Sequence, residues 1–257
     1  MSTVDLSRLT AIVRTCRGPK GVDRLIRSLG WLYPQVRVLV ADDSRQPGAI
    51  AGVDPVRMPA GAGVSACRNA LLARVRTPYF LVLEEEMELS RQSHLERLLA
   101  LVAENRLDLA GGDCQRCQRR FGLFTSRRPD PGHATFEFSG NALRLAAGHR
   151  PIGESFLDCD LTHNFFVGRT DKVRAIGGWD PQLTTDERFE FFVRAQRFGL
   201  RVGMCADAIA RRWADGGPAS APQGQNLLSL AAARMGVARL IDLEGRMHES
   251  PPQARAA

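Results

Sequence analysis

Three consecutive glutamates follow directly after a short apolar segment. The apolar residues 79–83 lead into Glu84, Glu85 and Glu86. A short apolar segment of this kind is typical of a buried strand, so the carboxylates are expected at its carboxyl end, the edge where open α/β sheets bind ligands. Adjacent carboxylates repel one another and resist burial, which favours neutralisation by a metal or a basic side chain. A solvated helix start is the alternative interpretation of the same residues.

The composition describes a globular chain with a basic, arginine-rich surface. The 257 residues are 44% hydrophobic, enough for one large α/β domain with a sizeable core. Lys20 and Lys172 are the only lysines, so 33 of the 35 basic residues are arginines, and they are dispersed. Without a dense basic block, we expect no nucleic-acid partner. The amino terminus has no apolar signal segment and no apolar stretch approaches about 20 residues, so we expect a cytoplasmic protein without a membrane span.

The order of the periodic segments predicts an α/β fold. Strands are predicted at residues 9–13, 36–41, 79–83, 107–112 and 200–205, the last of these as the final strand. Helices are predicted at 21–32, from about 63, and at 94–105, 187–198 and 227–243. This alternation predicts a parallel sheet covered by helices. The first three strand ends should then meet at one edge, which carries Arg14–Thr15, Asp42–Asp43 and Glu84–Glu86.

A series of short motifs is similar to one enzyme family. The motifs are Arg14-Thr15, Leu32-Tyr33-Pro34, Asp42-Asp43-Ser44, Met58-Pro59, Arg68-Asn69, Asn164-Phe165-Phe166, Arg169 to Arg174 and Glu190-Phe191-Phe192. Their order resembles the catalytic domain of inverting nucleotide-sugar glycosyltransferases of the GT-A fold. The resemblance is greatest to the β-1,4-N-acetylgalactosaminyltransferases of ganglioside synthesis and looser to family-2 transferases. It covers about residues 9–207 and implies a single domain with a Rossmann-like, mixed and mostly parallel central sheet flanked by helices.

The resemblance also implies a division of the chain. Residues 1–215 would form the glycosyltransferase domain, with a nucleotide-binding half at 1–112 and an acceptor-binding half at 113–215. The arginine-, glycine- and proline-rich stretch 113–154 is expected to be a mobile loop or an inserted ribbon. Residues 216–257 would add a helical extension with a frayed end.

Residues of the first half are implied to hold the nucleotide. Arg14 and Thr15 follow the first strand, and Asp42 and Asp43 follow the second, where the family holds the base and ribose. A carboxylate there can accept a hydrogen bond from a uracil N–H or a ribose hydroxyl, although a helix cap or turn is the alternative. Arg68 is implied to face the base or the diphosphate.

The glutamate triplet falls on the family's metal-binding Asp-x-Asp motif. The resemblance implies a divalent metal, Mn²⁺ or Mg²⁺, held by Glu84 and Glu86 beside the donor diphosphate, with Glu85 between them. Two departures from the pattern affect this cofactor. All three positions are glutamate, and Arg212 stands where the family tends to carry a histidine. Because an arginine cannot bind a metal but can neutralise a diphosphate, metal dependence stays open at this point.

The second half is implied to supply the general base and the acceptor contacts. Inversion needs a base for the acceptor hydroxyl, and Asp186, Glu187 and Glu190 are the candidates at the start of one helix. Acids that only favour a helix amino terminus are the alternative. The residues expected beside the sugar or acceptor are Asp160, Asn164 and Trp179. A core position is the alternative for the aromatic ring.

The sequence therefore predicts a bacterial hexosyl- or N-acetylhexosaminyltransferase. It would move a sugar with inversion from a nucleotide-sugar donor, expected to be UDP-linked, to a glycan, lipid-linked or small-molecule acceptor. Two alternatives remain at this point. One is a catalytically inactive sugar-nucleotide-binding module, because the metal and base positions depart from the family pattern. The other is a sugar nucleotidyltransferase, although no glycine-rich phosphate loop follows the first strand.

Overall fold

Most of the chain is ordered into strands and helices. A computed structural model describes residues 4–120, 124–130, 132–150, 156–214 and 227–251. The helices are α1 (Pro19–Leu32), α2 (Val64–Leu72), α3 (Leu95–Ala103), α4 (Thr170–Ala175), α5 (Glu187–Arg197) and α6 (Leu227–Arg234), with short 3₁₀ turns at Leu6–Arg8 and Arg91–Ser93. Within the described ranges, no helix has the length and apolar character needed to cross a membrane.

The strands form one large and one small sheet. They are β1 (Leu9–Thr15), β2 (Arg37–Asp42), β3 (Val56–Arg57), β4 (Tyr79–Glu84), β5 (Met87–Glu88), β6 (Leu109–Arg120), β7 (Phe124–Pro129), β8 (Ala134–Ser139), β9 (Ala142–Ala147), β10 (Leu157–Asp158), β11 (Phe166–Arg169), β12 (Val202–Trp213), β13 (Arg239–Ile241) and β14 (Met247–Glu249). The large sheet has the order β10-β12-β6-β11-β4-β1-β2-β3, with β5 paired to β12 and β7 to β6. The small sheet has the order β14-β13-β9-β8.

The large sheet is mixed, and most of its strands run in one direction. Strands β1, β2, β3, β4, β6 and β12 are parallel to one another. Strand β11 lies antiparallel between β4 and β6. The predicted fold class, a mixed and mostly parallel α/β sheet flanked by helices, is therefore confirmed.

Helices cover both faces of the sheet, which explains the continuous apolar segment of β4. Phe80 and Val82 point to one core, which α2 and α5 cover. Leu81 and Leu83 point to the other core, which α1 and α3 cover. A strand buried on both faces gains from apolar residues at every position rather than at alternate ones. The alternation of strands and helices along the first hundred residues thus supplies helices to both layers, and α5 completes one of them.

The described residues of the stretch 113–154 include strands. Strand β6 continues beyond the predicted end at residue 112 and pairs antiparallel with β7. Strands β8 and β9 form a hairpin whose turn contains Gly140 with a φ of +53°. Glycine adopts this left-handed conformation without a Cβ penalty. Residues 121–123, 131 and 151–155 of the stretch lie outside the described residues.

The carboxyl-terminal part is less helical than the sequence predicts. The helix expected at 227–243 ends at Arg234, and Gly236 follows with a φ of +68°. Strand β13 then pairs with β9, and β14 pairs with β13, so the prediction that 200–205 is the final strand was also wrong. The cause is tertiary, because β9 offers a free edge that local propensity does not reveal. Residues 215–226 and 252–257, including most of the expected frayed end, lie outside the described residues, and the division of the chain at 112 and 215 stays a prediction.

An aromatic cluster joins α5 to the underside of the large sheet. Its rings belong to Phe80, Phe166, Trp179, Phe191 and Phe192. Trp179 and Phe191 stack with ring centroids 4.8 Å apart. The ring centroid of Phe166, on β11, lies 5.5 Å from that of Phe192, and Phe166 is fully buried. The cluster therefore holds α5 against the strands that carry the polar residues described below.

Replacement of Phe166 by alanine tests the importance of this cluster. We expect Phe166→Ala to lower the free energy of unfolding by about 3–5 kcal/mol, because it leaves a cavity beneath the sheet. Phe138→Ala is the matched control, since this ring is 48% exposed, and it should cost at most about 1 kcal/mol. Urea denaturation followed by circular dichroism measures both values. Equal losses of unfolding free energy in the two variants would contradict the assignment of Phe166 to the core.

Candidate functional site

A cleft lies where the carboxyl ends of β1 and β4 meet the start of α5. Its volume is about 330 Å³. The charged side chains that line it come from separate segments of the chain and are Arg14, Arg68, Glu84, Glu85, Glu86, Asp186, Glu187, Arg188 and Arg212. The strand register explains part of this convergence, since Arg14 lies beside Glu84 and Thr15 lies beside Asp42. The expected meeting of the first three strand ends is therefore confirmed.

The two aspartates after β2 are buried and already paired. Asp43 accepts two hydrogen bonds of 2.8 Å from Arg14 and one of 3.0 Å from the backbone of Gly63. Asp42 pairs with Arg57 and accepts a bond from the backbone of Ser44. Asp43 therefore orients Arg14 at the cleft, whereas Asp42 is not among the residues that line it.

Glu85 points away from its two neighbours and is used in a local network. Its carboxylate accepts hydrogen bonds from the Thr15 hydroxyl at 2.6 Å and from Nε of Arg17 at 2.9 Å. Gly21 makes this approach possible, because a Cβ at that position would lie 2.5 Å from Glu85 Oε2. The hydroxyl of Thr15 is also fully buried. Thr15 and Glu85 therefore fix the loop after β1.

Glu84 is held as a carboxylate by two partners from the second half of the chain. Arg212 forms an ion pair with Glu84 Oε2, and the side-chain amide of Asn164 donates to Oε1 at 2.8 Å. Burial acts to raise the pKa of Glu84, but the positive charge of Arg212 and the Asn164 amide outweigh it and lower the pKa to about 2. Both oxygens of Glu84 are thus engaged.

Arg212 is itself fixed by a second acid that sequence reasoning missed. Its Nη1 donates to Asp130 at 2.9 Å, and Asp130 also accepts from Arg116 at 3.0 Å. Asp130 lies in an arginine- and proline-rich segment without periodicity, so only the fold reveals its position. Burial acts to lower the pKa of Arg212, but the charges of Glu84, Asp130 and Glu86 together outweigh it and raise the pKa. Arg212 is therefore a fixed cation at the cleft.

Glu86 is the least engaged member of the triplet. Its nearest cations are Nη2 of Arg17 and Nε of Arg212, each at 3.9 Å. Burial and the neighbouring charge of Glu84 raise the pKa of Glu86 above its ordinary value. This carboxyl group therefore faces the cleft with weak compensation.

These donors do not fit the divalent metal that the resemblance implies. Mn²⁺ or Mg²⁺ needs several oxygen ligands in nearly octahedral geometry. Of the expected ligands, Glu84 is bound to Arg212 and Asn164, and Glu86 lies with its two oxygens 3.9 Å from guanidinium nitrogens of Arg17 and Arg212. Across the described ranges, no group of three or more histidine, cysteine, aspartate or glutamate side chains is arranged to hold a metal. The expectation that Glu84 and Glu86 form a metal site is therefore not supported by their arrangement.

The three candidate bases at the start of α5 have different surroundings. Glu187 forms a buried ion pair with Arg68 of α2. Glu190 lies one turn further along the helix, where Arg194 donates two bonds of 2.7 and 2.9 Å to it, and it does not line the cleft. Asp186 lines the cleft in a left-handed conformation with a φ of +55°. Burial raises the pKa of Asp186, and no guanidinium of the described residues pairs with it.

The cleft also contains a cation without an acid partner. Arg188, on the first turn of α5, forms no ion pair or hydrogen bond with any side chain that the structure describes, and its guanidinium lies 5.2 Å from the ring centre of Phe189. Behind it, His163 is buried, with neither ring nitrogen hydrogen-bonded within the described chain. Burial, together with the charges of Arg188 and Arg212, lowers the pKa of His163 to about 4. Burial and the two guanidinium charges outweigh the charges of Asp130 and Glu84 at the imidazole, so the histidine is kept neutral.

Two residues expected beside the acceptor lie elsewhere. Trp179 is 1% exposed, stacked on Phe191 and covered by the guanidinium of Arg68, so it belongs to the core. Asp160 is buried, and Arg150 donates to it with two bonds of 2.8 and 2.7 Å. Arg150 holds Asp160 in place, and Phe191 and Arg68 hold Trp179. Of the three expected acceptor residues, the fold brings only Asn164 to the cleft.

Comparison with known proteins identifies relatives over most of the chain. No protein-family profile matches it. The chain is 36% identical over 196 residues to human β-1,4 N-acetylgalactosaminyltransferase 1, an alignment covering 72% of this chain and 35% of the relative. It is 30% identical over 206 residues to mouse β-1,4 N-acetylgalactosaminyltransferase 2, covering 78% of this chain and 38% of the relative. The chain thus spans little more than a third of the length of the curated relatives it matches.

Solved structures share the fold at low sequence identity. GalNAc-T7, crystallised with UDP, GalNAc and Mn²⁺, superposes with a TM-score of 0.65 at 12% identity, over 80% of this chain and 43% of that one. A fragment of TarS from S. aureus in complex with UDP superposes with a TM-score of 0.59 at 13% identity, over 89% of this chain and 64% of that one. The resemblance expected from the motifs is confirmed: the chain is a relative of the β-1,4-N-acetylgalactosaminyltransferases and has the fold of nucleotide-sugar glycosyltransferases.

Proposed function

We propose that the chain is an inverting glycosyltransferase that moves a hexosyl or N-acetylhexosaminyl group from a UDP-linked donor to an acceptor hydroxyl. The observation that carries this proposal is the cleft at the carboxyl ends of β1 and β4, which gathers fixed arginines and carboxylates from both halves of the chain. Such an edge is where sheets of this type bind nucleotides. The human and mouse relatives carry the name N-acetylgalactosaminyltransferase, and the TarS fragment was crystallised with UDP, which supports the donor class.

The reaction requires a base on the acceptor side of the donor. The acceptor oxygen forms a bond to the anomeric carbon while the bond from that carbon to the β-phosphate oxygen breaks, and UDP leaves with the bonding electrons. The proton of the acceptor hydroxyl passes to a carboxylate of the protein. Attack from the face opposite the leaving group inverts the anomeric centre.

Asp186 is the carboxylate best suited to this role. Glu187 and Glu190 are committed to Arg68 and Arg194, and protonation of either would leave its cationic partner without compensation. Asp186 lines the cleft without such a partner in the described chain, and its pKa is raised by burial. A pKa closer to the working pH makes a carboxylate a more effective proton acceptor. We therefore assign the base to Asp186 and a positioning role to Glu187.

The uridine part of the donor is assigned to the side of the cleft formed by β1, β2 and α2. Arg14, which Asp43 orients, and Arg68 are the fixed cations on that side. Asn164 reaches the same cleft and keeps one amide proton for the donor sugar after it binds Glu84. The acceptor then approaches the assigned base, Asp186, and its class is a glycan, a lipid-linked sugar or a small molecule. We expect no nucleic acid as a substrate or partner.

Incubation with a panel of nucleotide sugars tests the function. We expect slow release of UDP from UDP-sugars in the absence of acceptor, because water can replace the acceptor hydroxyl, and no release from GDP- or CMP-sugars. Mass spectrometry of the free nucleotide measures the outcome. Binding of UDP without turnover of any donor would favour an inactive binding module and contradict the proposal.

Replacement of Asp186 tests the assigned base. Asp186→Asn should lower kcat by about 10² to 10⁴-fold, since the amide cannot accept the proton. Burial raises the pKa of Asp186 above 3.8. The wild-type kcat/KM should therefore fall on the acid side of its pH profile at a higher pH than an ordinary aspartate would give. This fall should be absent from the variant. Asp171→Asn is the matched control, an acid in the first turn of α4 with a 68% exposed side chain. Full activity of Asp186→Asn would refute the assignment.

A further inference from the structure

Arg188 differs from the other arginines of the cleft. Arg14 is paired with Asp43, Arg68 with Glu187, and Arg212 with three acids, whereas Arg188 pairs with no acid in the described ranges of the chain. A partly buried cation without a counter-ion is costly. Such a residue is stable at a binding cleft when an anionic ligand supplies the missing charge.

The surroundings of Arg188 favour an anion rather than a neutral ligand. It lies in the first turn of the 11-residue helix α5, where unpaired backbone N–H groups and the helix dipole add positive potential. His163, buried nearby, is neutral and contributes no charge. The charges of Glu84 and Glu187 act on Arg188, but Glu84 is bound to Arg212 and Asn164, and Glu187 is bound to Arg68. The free cation is thus directed at the cleft.

Arg212 supplies a second cation at the same end. Glu84 and Asp130 hold two of its nitrogens, while the buried Nε has no hydrogen-bond acceptor in the described chain. A guanidinium held by acids on one edge keeps its planar fork oriented, and this geometry matches phosphate oxygens. Arg212 therefore occupies the oxygen of Glu84 that a metal would need and faces the cleft itself.

We propose, on the basis of the proposed function, that Arg188 and Arg212 bind the diphosphate of the donor and take the place of a divalent metal. The leaving UDP gains negative charge as the glycosidic bond breaks, and two fixed guanidinium groups stabilise that charge. Glu84 acts as a positioning residue through Arg212. Transfer then proceeds without Mn²⁺ or Mg²⁺.

Calorimetric titration of the full chain with UDP tests the absence of a metal requirement. UDP should bind with the same affinity in EDTA and in excess MnCl₂, and donor turnover should survive EDTA. Binding or turnover that requires Mn²⁺ would overturn this inference while leaving the glycosyltransferase function intact. A chain that binds no UDP under either condition would overturn both proposals.

Substitution of Arg188 tests the assigned residue independently. Arg188→Met should weaken UDP binding by about 10- to 100-fold, the usual range for loss of a hydrogen bond to a charged group. Arg188→Lys should recover part of the affinity, because it restores the charge without the planar fork. Arg37→Met, at the exposed opposite end of β2, is the matched control and should bind UDP like the wild type. Uridine should bind Arg188→Met and the wild type equally, which shows that the variant is folded. Equal UDP affinity in Arg188→Met and the wild type would refute the assignment.

Discussion

The ion pair between Glu84 and Arg212 determines how the cleft is arranged. It joins side chains 128 residues apart, one at the end of β4 and the other near the end of β12. Strand β12 pairs with β6 along most of its length, and a register shift between Cys205 and Ile209 changes its alignment before Arg212. A carboxylate at a strand end needs a counter-charge. The path of β12 supplies that charge within the protein.

The same principle organises the rest of the cleft. Arg14 with Asp43 and Arg68 with Glu187 are further buried or half-buried pairs, and the second of these links α2 to α5 across 119 residues. Removing one partner of such a pair leaves an uncompensated charge, so each pair fixes the elements that carry its two residues relative to one another. The cleft is therefore a set of mutually fixed charges rather than a collection of independent side chains.

The sequence predicts the layers well and the pairing of charges poorly. Periodicity identifies β1, β2, β4, α1 and α5. A helix buried along one stripe and a strand buried on both faces each have a characteristic pattern of apolar residues close together in the sequence. Periodicity does not identify β13 and β14, since β13 pairs with β9, which is distant in sequence, and β14 pairs with β13. In the same way, residue type places Glu190 and Asp160 among the candidate site residues, but Arg194 and Arg150 engage them. Only the fold specifies which of many arginines meets which acid.

Arg188 and Arg212 together match a divalent metal in charge. A divalent metal contributes two positive charges beside a diphosphate, and two guanidinium groups contribute the same sum. A metal needs vacant carboxylate oxygens, whereas an arginine needs those oxygens occupied in order to hold its own fork in place. Glu84 satisfies the second requirement, since its two oxygens bind Arg212 and Asn164. The change from aspartate to glutamate at the triplet is then tolerable, because a longer side chain disturbs a tight metal site but still reaches a guanidinium.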